Sequence, residues 1–320
     1  MDSASTAHAY CIGADENGLG ARLGPLVVTG VLACVAEPSD RALRRKLPAR
    51  VAADLDDSKR LVSHGNIALG EAWARVLGPP DAASPRELFE GLSLEGVGRL
   101  RDPCPSHVEA QCWSAEGERF QADDELVARV RRHLTALRRR GIEIERVQSS
   151  VVCTRRLNDK RAAGQNRFVA DLHAMEELVL SLRAHAGSDV TAVCGKVGGI
   201  GDYPRFFGPL SGRLHAVLEQ RRALGAYRFP GLGEIRFEQD ADARHVLVML
   251  ASLVGKYVRE LLMARIPRFY ASPGDDTAAS CSGYNDPVTD RFVELTLPAR
   301  RRRRIPRTCF ERESAKDADG

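Results

Sequence analysis

The sequence predicts an α/β fold, a β-sheet flanked by helices, and three observations carry that expectation. Residues 9–36 form a strand, a glycine-rich turn and a second strand. Beyond them, short β-branched runs alternate with segments of helical period along the chain. The 320 residues, 43% apolar and 28% charged, have a globular composition and enough length for a substantial core.

The first strand pair closes at Pro38. Asp54 to Leu61 follows a basic helical stretch and has the form of a loop opening a helix, with Asp57 or Ser58 as the cap. A helix is predicted from about Asn66 to Val76. Residues 78–140 are proline-rich and then strongly charged, with a helical segment near Asp124–Arg140, which suggests an insertion or small subdomain. Gln148 to Cys153 suits a strand, and Phe168 to Ala184 a helix with Leu172, Met175, Leu178, Leu180 and Leu182 on a near-helical period. Val190 to Cys194 is a short apolar strand running into Gly195-Lys196-Val197-Gly198-Gly199. Arg236 to Glu238 forms another strand, and Asp242 to Ala264 a long amphipathic helix. No internal repeat is present.

Composition narrows the function classes. The net charge of +4 is modest, but arginine outnumbers lysine and Arg300–Arg304 are consecutive, so nucleic acid or another polyanion is permitted and not required. A polyanion binder working through that run alone is the weakest reading. No secretory pattern opens the chain and no stretch reaches the roughly 18 uncharged apolar residues of a membrane span. Eight scattered cysteines are expected to be reduced thiols, and the expected location is the cytoplasm. Cys104, His107 and Cys112 lack a fourth ligand at zinc spacing.

The chemistry-bearing feature is Asp15-Glu16 at the end of the first strand, followed by Gly18-Leu19-Gly20. Neighbouring side chains of a uniform strand point to opposite faces, but at a frayed end both can converge. Carboxylates held together repel unless a cation separates them, and hard Mg²⁺ or Mn²⁺ suits oxygen donors. A solvated Asp-Glu surface pair is the alternative.

Four stretches in order resemble the type 2 ribonucleases H, the ribonuclease HII and HIII group. They are Asp15-Glu16-x-Gly18-x-Gly20 with Gly24-Pro25-Leu26-Val27-Val28; Asp57-Ser58-Lys59-Arg60-Leu61; Asp242 with Ala251-Ser252 through Arg259; and Ser282-Gly283-Tyr284-Asn285-Asp286-Pro287-Val288-Thr289. The resemblance implies a ribonuclease-H-like mixed β-sheet flanked by helices, with a helical C-terminal portion and an inserted segment. It divides the chain into 1–77 and 147–312 as two parts of one domain, 78–146 as the insertion and 313–320 as a disordered tail. It implies a monomer that cleaves the RNA strand of RNA–DNA hybrids, or embedded ribonucleotides, with two Mg²⁺ or Mn²⁺ ions held by carboxylates. Asp15, Glu16 and Asp242 would be the catalytic ligands, although Asp242 can also be read as a helix cap. Gly18, Leu19, Gly20, Arg22, Ser58, Lys59, Lys196, Lys256 and Tyr284 would contact nucleic acid, with Arg259 a further phosphate contact.

Two positions depart from the family pattern. Cys194 stands where the resemblance places a ligand aspartate, and a thiol is a soft ligand suited to zinc. Asp189 and Asp202 are possible substitutes. Leu19 stands where related enzymes carry Arg or Lys, with Arg22 near enough to replace that cation. The rival expectation is therefore a degenerate member that binds nucleic acid without efficient cleavage.

Overall fold

The computed structural model describes residues 8–36, 40–44, 46–271 and 281–313. Pro38 lies outside these residues, as does the expected tail apart from Glu313. The seven strands are β1 (Ala9–Asn17), β2 (Leu26–Val35), β3 (Ile142–Val152), β4 (Val190–Gly195), β5 (Ala216–Arg221), β6 (Leu224–Phe229) and β7 (Gly233–Glu238). They form one mixed sheet in the order β3-β2-β1-β4-β7-β6-β5. β1, β4 and β7 run parallel, while β2 is antiparallel to both β1 and β3. The mixed sheet flanked by helices is the expected class.

Before β3 lie α1 (Asp40–Arg44), α2 (Ala49–Ala52), α3 (Ser58–Leu61), α4 (Ala68–Leu77), α5 (Pro85–Leu92), α6 (Val97–Arg101) and α7 (Asp124–Arg138). After it come α8 (Thr154–Ala162), α9 (Arg167–Ala186), α10 (Val246–Tyr270), α11 (Pro287–Arg302) and α12 (Arg307–Phe310). The period-2 alternation of the central strands sorts their side chains into two cores. Cys11, Val27 and Val31 face α10 and α4; Ile12, Ala14, Val28 and Leu32 face α9. Leu88, Phe89 and Leu92 of α5 and Val127, Val130 and Leu137 of α7 join the first core, so the 78–146 segment packs on the α10 side of the sheet. A third cluster, including Leu23, Met263, Phe292 and Phe310, fixes α11 and α12 against the end of α10.

Two expectations are corrected, and two strand segments go unpredicted. The long helix begins at Val246, and Asp242 sits before it in a 3₁₀ turn (Ala241–Ala243). That helix is buried over most of its length and is not amphipathic, because the sheet lies on one side and α4 and the C-terminal helices on others. The β5–β6 hairpin escapes the sequence pattern because β5 is an edge strand with its residues largely exposed, so no alternation is imposed. β3 also begins earlier than expected, at Ile142, with Glu143 and Glu145 facing outward in an alternating run. Among the described residues no helix is long and apolar enough to cross a membrane.

Gly13 shows how closely α10 lies on β1. A Cβ there would stand 2.4 Å from the carbonyl carbon of Leu247 and 2.5 Å from the amide nitrogen of Val248. Only glycine allows backbone to approach backbone in this way. The contact seats the start of α10 beside the carboxyl-terminal half of β1.

Candidate active site at the end of β1

Asp15 and Glu16 lie at the carboxyl-terminal end of β1, and Asp242 arrives from the turn that links β7 to α10. The backbone reverses through Asp240, a non-glycine residue at φ 56°, which aims the turn toward β1. All three carboxylates line one cleft of about 460 Å³, together with Gly18, Leu19, Gly20, Ser58, Lys59, Lys196, Lys256, Arg259 and Tyr284. The distant motifs thus meet in space.

Burial, then repulsion from Glu16 and more weakly from Asp242, raises Asp15 well above the ordinary carboxylate range against a hydrogen bond from Ser252. Burial, followed by Asp171, pushes Glu16 up to about 8. Lys59 Nζ stands 3.5 Å from Asp242 Oδ2. Burial draws the Lys59 ammonium down, but Asp242, Asp57 and Asp15 outweigh it and hold it above its usual value.

These raised acids predict the pH response of the metal-free protein. The folded state keeps protons that the unfolded chain has already lost, so this contribution is full below the ordinary carboxylate range. It disappears as pH rises through about 8, the Glu16 value. Melting temperature is expected to fall between about pH 5 and 8 without divalent ions, and to recover on adding Mn²⁺. Thermal unfolding across that range checks both.

The short motifs have mechanical reasons. Asp57, rather than Ser58, caps α3, accepting from the Lys59 amide at 2.9 Å. This frees the Ser58 hydroxyl to meet Ser252 Oγ at 2.9 Å, and Ser252 in turn bonds Asp15. Asn17 donates to the Ser252 carbonyl at 3.3 Å. In the fourth motif Asp286 caps α11 and accepts from Ser282 Oγ at 2.7 Å. The Gly283 carbonyl accepts from the amides of Arg22 and Leu23, both at 2.9 Å, which binds this motif to the first.

Several cations take other work than expected. Arg22 pairs with Glu311 at 2.7 Å and with Asp290, so it is not a free phosphate contact. Lys196 donates to the carbonyl of Arg222 on the β5–β6 turn. Arg259 is 1% exposed, pairs with Glu260 and donates to the Ser282 carbonyl at 2.8 Å. Its guanidinium lies 4.5 Å from the centroid of the Tyr284 ring, so it supports the tyrosine from below. Tyr284 itself is 42% exposed at the cleft rim. Lys59, paired with Asp242, and Lys256 are the further lysines that line the cleft. Of the arginine run, Arg300 is buried over Phe310 at 4.0 Å, and Arg303 stacks on Phe269 at 4.4 Å.

Cys194 does not line the cleft. Its side chain enters the α9 core with Ala14 and Met175, and burial, then Asp171, pushes the thiol far up, which leaves it protonated. The β4 residue facing the carboxylates is Gly195, where a Cβ would lie 2.6 Å from Asp15 Oδ1. Asp189 precedes the far end of β4, and Asp202 pairs with Arg205 at 2.6 Å. Cys104 and Cys112 line a small apolar pocket with Cys153 and Cys309, without His107.

Among the described residues no three His, Cys, Asp or Glu side chains stand in ready-made metal geometry. The donor chemistry of the cleft nevertheless fits a hard divalent cation: buried carboxylate oxygens that repel one another.

Two residues outside the expected set complete the picture. Arg312, near the end of the described chain, donates to the carbonyls of Gly18 at 2.7 Å and Gly24 at 2.8 Å, pinning the Gly18–Gly20 loop. No local pattern signals it. Asp171 of α9 is fully buried beneath the floor, and a charged residue within the apolar stripe Met175, Leu178 and Leu182 was the available clue.

No family model matches the chain, and no curated protein does. Among solved structures it is similar to ribonuclease HII of Archaeoglobus fulgidus in a complex with PCNA, at 18% identity over 96% of this chain and 98% of that one, with a TM-score of 0.41. It is similar to ribonuclease H2 of Pyrococcus horikoshii OT3 at 14% identity over 94% and 92%, TM-score 0.41. Bst ribonuclease HIII in complex with Mn²⁺ follows at 14% over 92% and 72%, TM-score 0.40. At such scores these likenesses support nothing about the chemistry of this cleft.

Proposed function

We propose that the chain is a divalent-metal-dependent endonuclease of the ribonuclease H type, hydrolysing the RNA strand of RNA–DNA hybrids or embedded ribonucleotides. The observation that carries it is the meeting of Asp15, Glu16 and Asp242 in one cleft rimmed by Lys59, Lys256 and Tyr284. Mg²⁺ or Mn²⁺ held there would supply an activated water and stabilise the leaving oxygen. The chain's own groups do the rest. Ser58 and Ser252 orient Asp15, and Arg312 holds the Gly18–Gly20 loop where its backbone can approach a ribose 2′-hydroxyl. Tyr284, supported by Arg259, offers a ring face to a sugar.

A neighbouring groove of about 1170 Å³ shares Leu19 and Gly20 with the cleft and carries Arg161, Arg167, Phe168 and Arg307. It is suited to the continuing phosphate backbone of a duplex. The test is incubation with an RNA–DNA hybrid and with a duplex holding one ribonucleotide, each with Mg²⁺ and with Mn²⁺. Cleavage to 3′-hydroxyl and 5′-phosphate ends supports the reading, and its absence with every substrate and ion removes it.

One observation favours the rival, a hybrid-binding protein without efficient turnover: no β4 side chain enters the cleft, since Gly195 faces it and Cys194 turns away. Both readings require hybrid binding. Lys256→Ala is expected to weaken it on all sequences alike and to lower the salt slope by about one. Fluorescence anisotropy at several salt concentrations measures that slope.

A further inference from the structure

Helix α9 presents Asp171, Met175, Leu178 and Leu182 in one stripe toward the sheet. Three are ordinary core residues. The fourth is a carboxylate with no exposed surface, and neither of its oxygens has a hydrogen-bond partner. Its surroundings show where it is aimed. It repels Glu16, it is repelled by Asp15, and it lies beside the Cys194 thiol. Asp171 therefore lies directly beneath the cleft floor on the helix side, next to Asp15 and Glu16, where β4 offers only Gly195 and an inward-turned thiol.

We propose that Asp171 is a metal-binding carboxylate of this cleft, so that a divalent cation is held between Asp15, Glu16 and Asp171, with the third acidic arm supplied by helix α9 and not by strand β4. This rests on the reading of the cleft as a divalent-metal site. An unpartnered, buried carboxylate beside two others is costly when nothing positive lies among them, and a hard cation accepts all three oxygen donors. The protonated thiol of Cys194 then serves as packing between α9 and β4, and a soft ligand is not needed.

The test measures metal binding directly. Wild type and Asp171→Asn are titrated with Mn²⁺, free ion being read by electron paramagnetic resonance, and each is melted with and without Mn²⁺. The variant is expected to bind Mn²⁺ roughly 10- to 100-fold more weakly and to lose most of the metal-induced rise in melting temperature. Equal Mn²⁺ affinity in the two proteins overturns the assignment and leaves the nuclease reading standing. Absence of Mn²⁺ binding by wild type overturns both. Should the variant not fold, wild-type crystals soaked in Mn²⁺ decide: an anomalous peak within coordination distance of an Asp171 oxygen supports the proposal, and one touching only Asp15, Glu16 or Asp242 overturns it.

Discussion

Asp15→Asn is expected to lower cleavage of an RNA–DNA hybrid by about three orders of magnitude or more, while raising the melting temperature of the metal-free protein. Asp15 is 7% exposed and lies between Glu16 and Asp242, so it is the carboxylate that any ion in the cleft must share. The amide keeps the shape and the hydrogen bond to Ser252 but removes the charge. Loss of metal-assisted stabilisation is worth several kcal/mol, at roughly 1.4 kcal/mol per tenfold in rate. The stability change has the opposite sign, since burial and Glu16 already disfavour the Asp15 carboxylate. Damage to the fold would lower activity and melting temperature together. Single-turnover cleavage and calorimetry on the same preparation separate the cases, and an active, metal-responsive variant would place the chemistry elsewhere.

Glu118→Ala is expected to cost about 3–5 kcal/mol of stability. Glu118 and Arg265 form a two-pronged pair at 2.6 and 3.1 Å, and both side chains are 2% exposed. Arg265 also lies over the Phe89 ring at 5.2 Å. Removing the acid strands a buried guanidinium in the junction between α10 and the 78–146 segment. Against a total stability of roughly 5–15 kcal/mol, that is a large share of the folded margin. Denaturant unfolding should show the midpoint falling, and Glu118→Ala combined with Arg265→Met should recover much of the loss. An unchanged midpoint in the single variant would mean that the pair contributes nothing.

Much of the architecture could be read along the chain. β1 and β2 are nearly continuous apolar runs because both faces of the central sheet are covered, and α9 ends at Gly187 in the left-handed conformation. The edge hairpin could not, because β5 is exposed along nearly its whole length and burial imposes no pattern on it. At the site, carboxylate pairs and glycine turns are local and therefore visible. The partners that Arg22, Lys196 and Arg259 take within the protein are not legible along the chain, because a cation's partner is chosen by proximity, and Glu311, the Arg222 carbonyl and Ser282 are near only after folding.

The order of residues alone determined an α/β chain with acidic groups at a strand end and motifs in a recognisable succession. Only the folded arrangement decided that Asp15, Glu16 and Asp242 share a cleft, that Cys194 faces away from it, and that Asp171 lies beneath it. The reason is range. Strand and helix periodicity are set by neighbours along the backbone, whereas the charge balance of a buried site depends on groups more than 200 positions apart, such as Asp15 and Asp242.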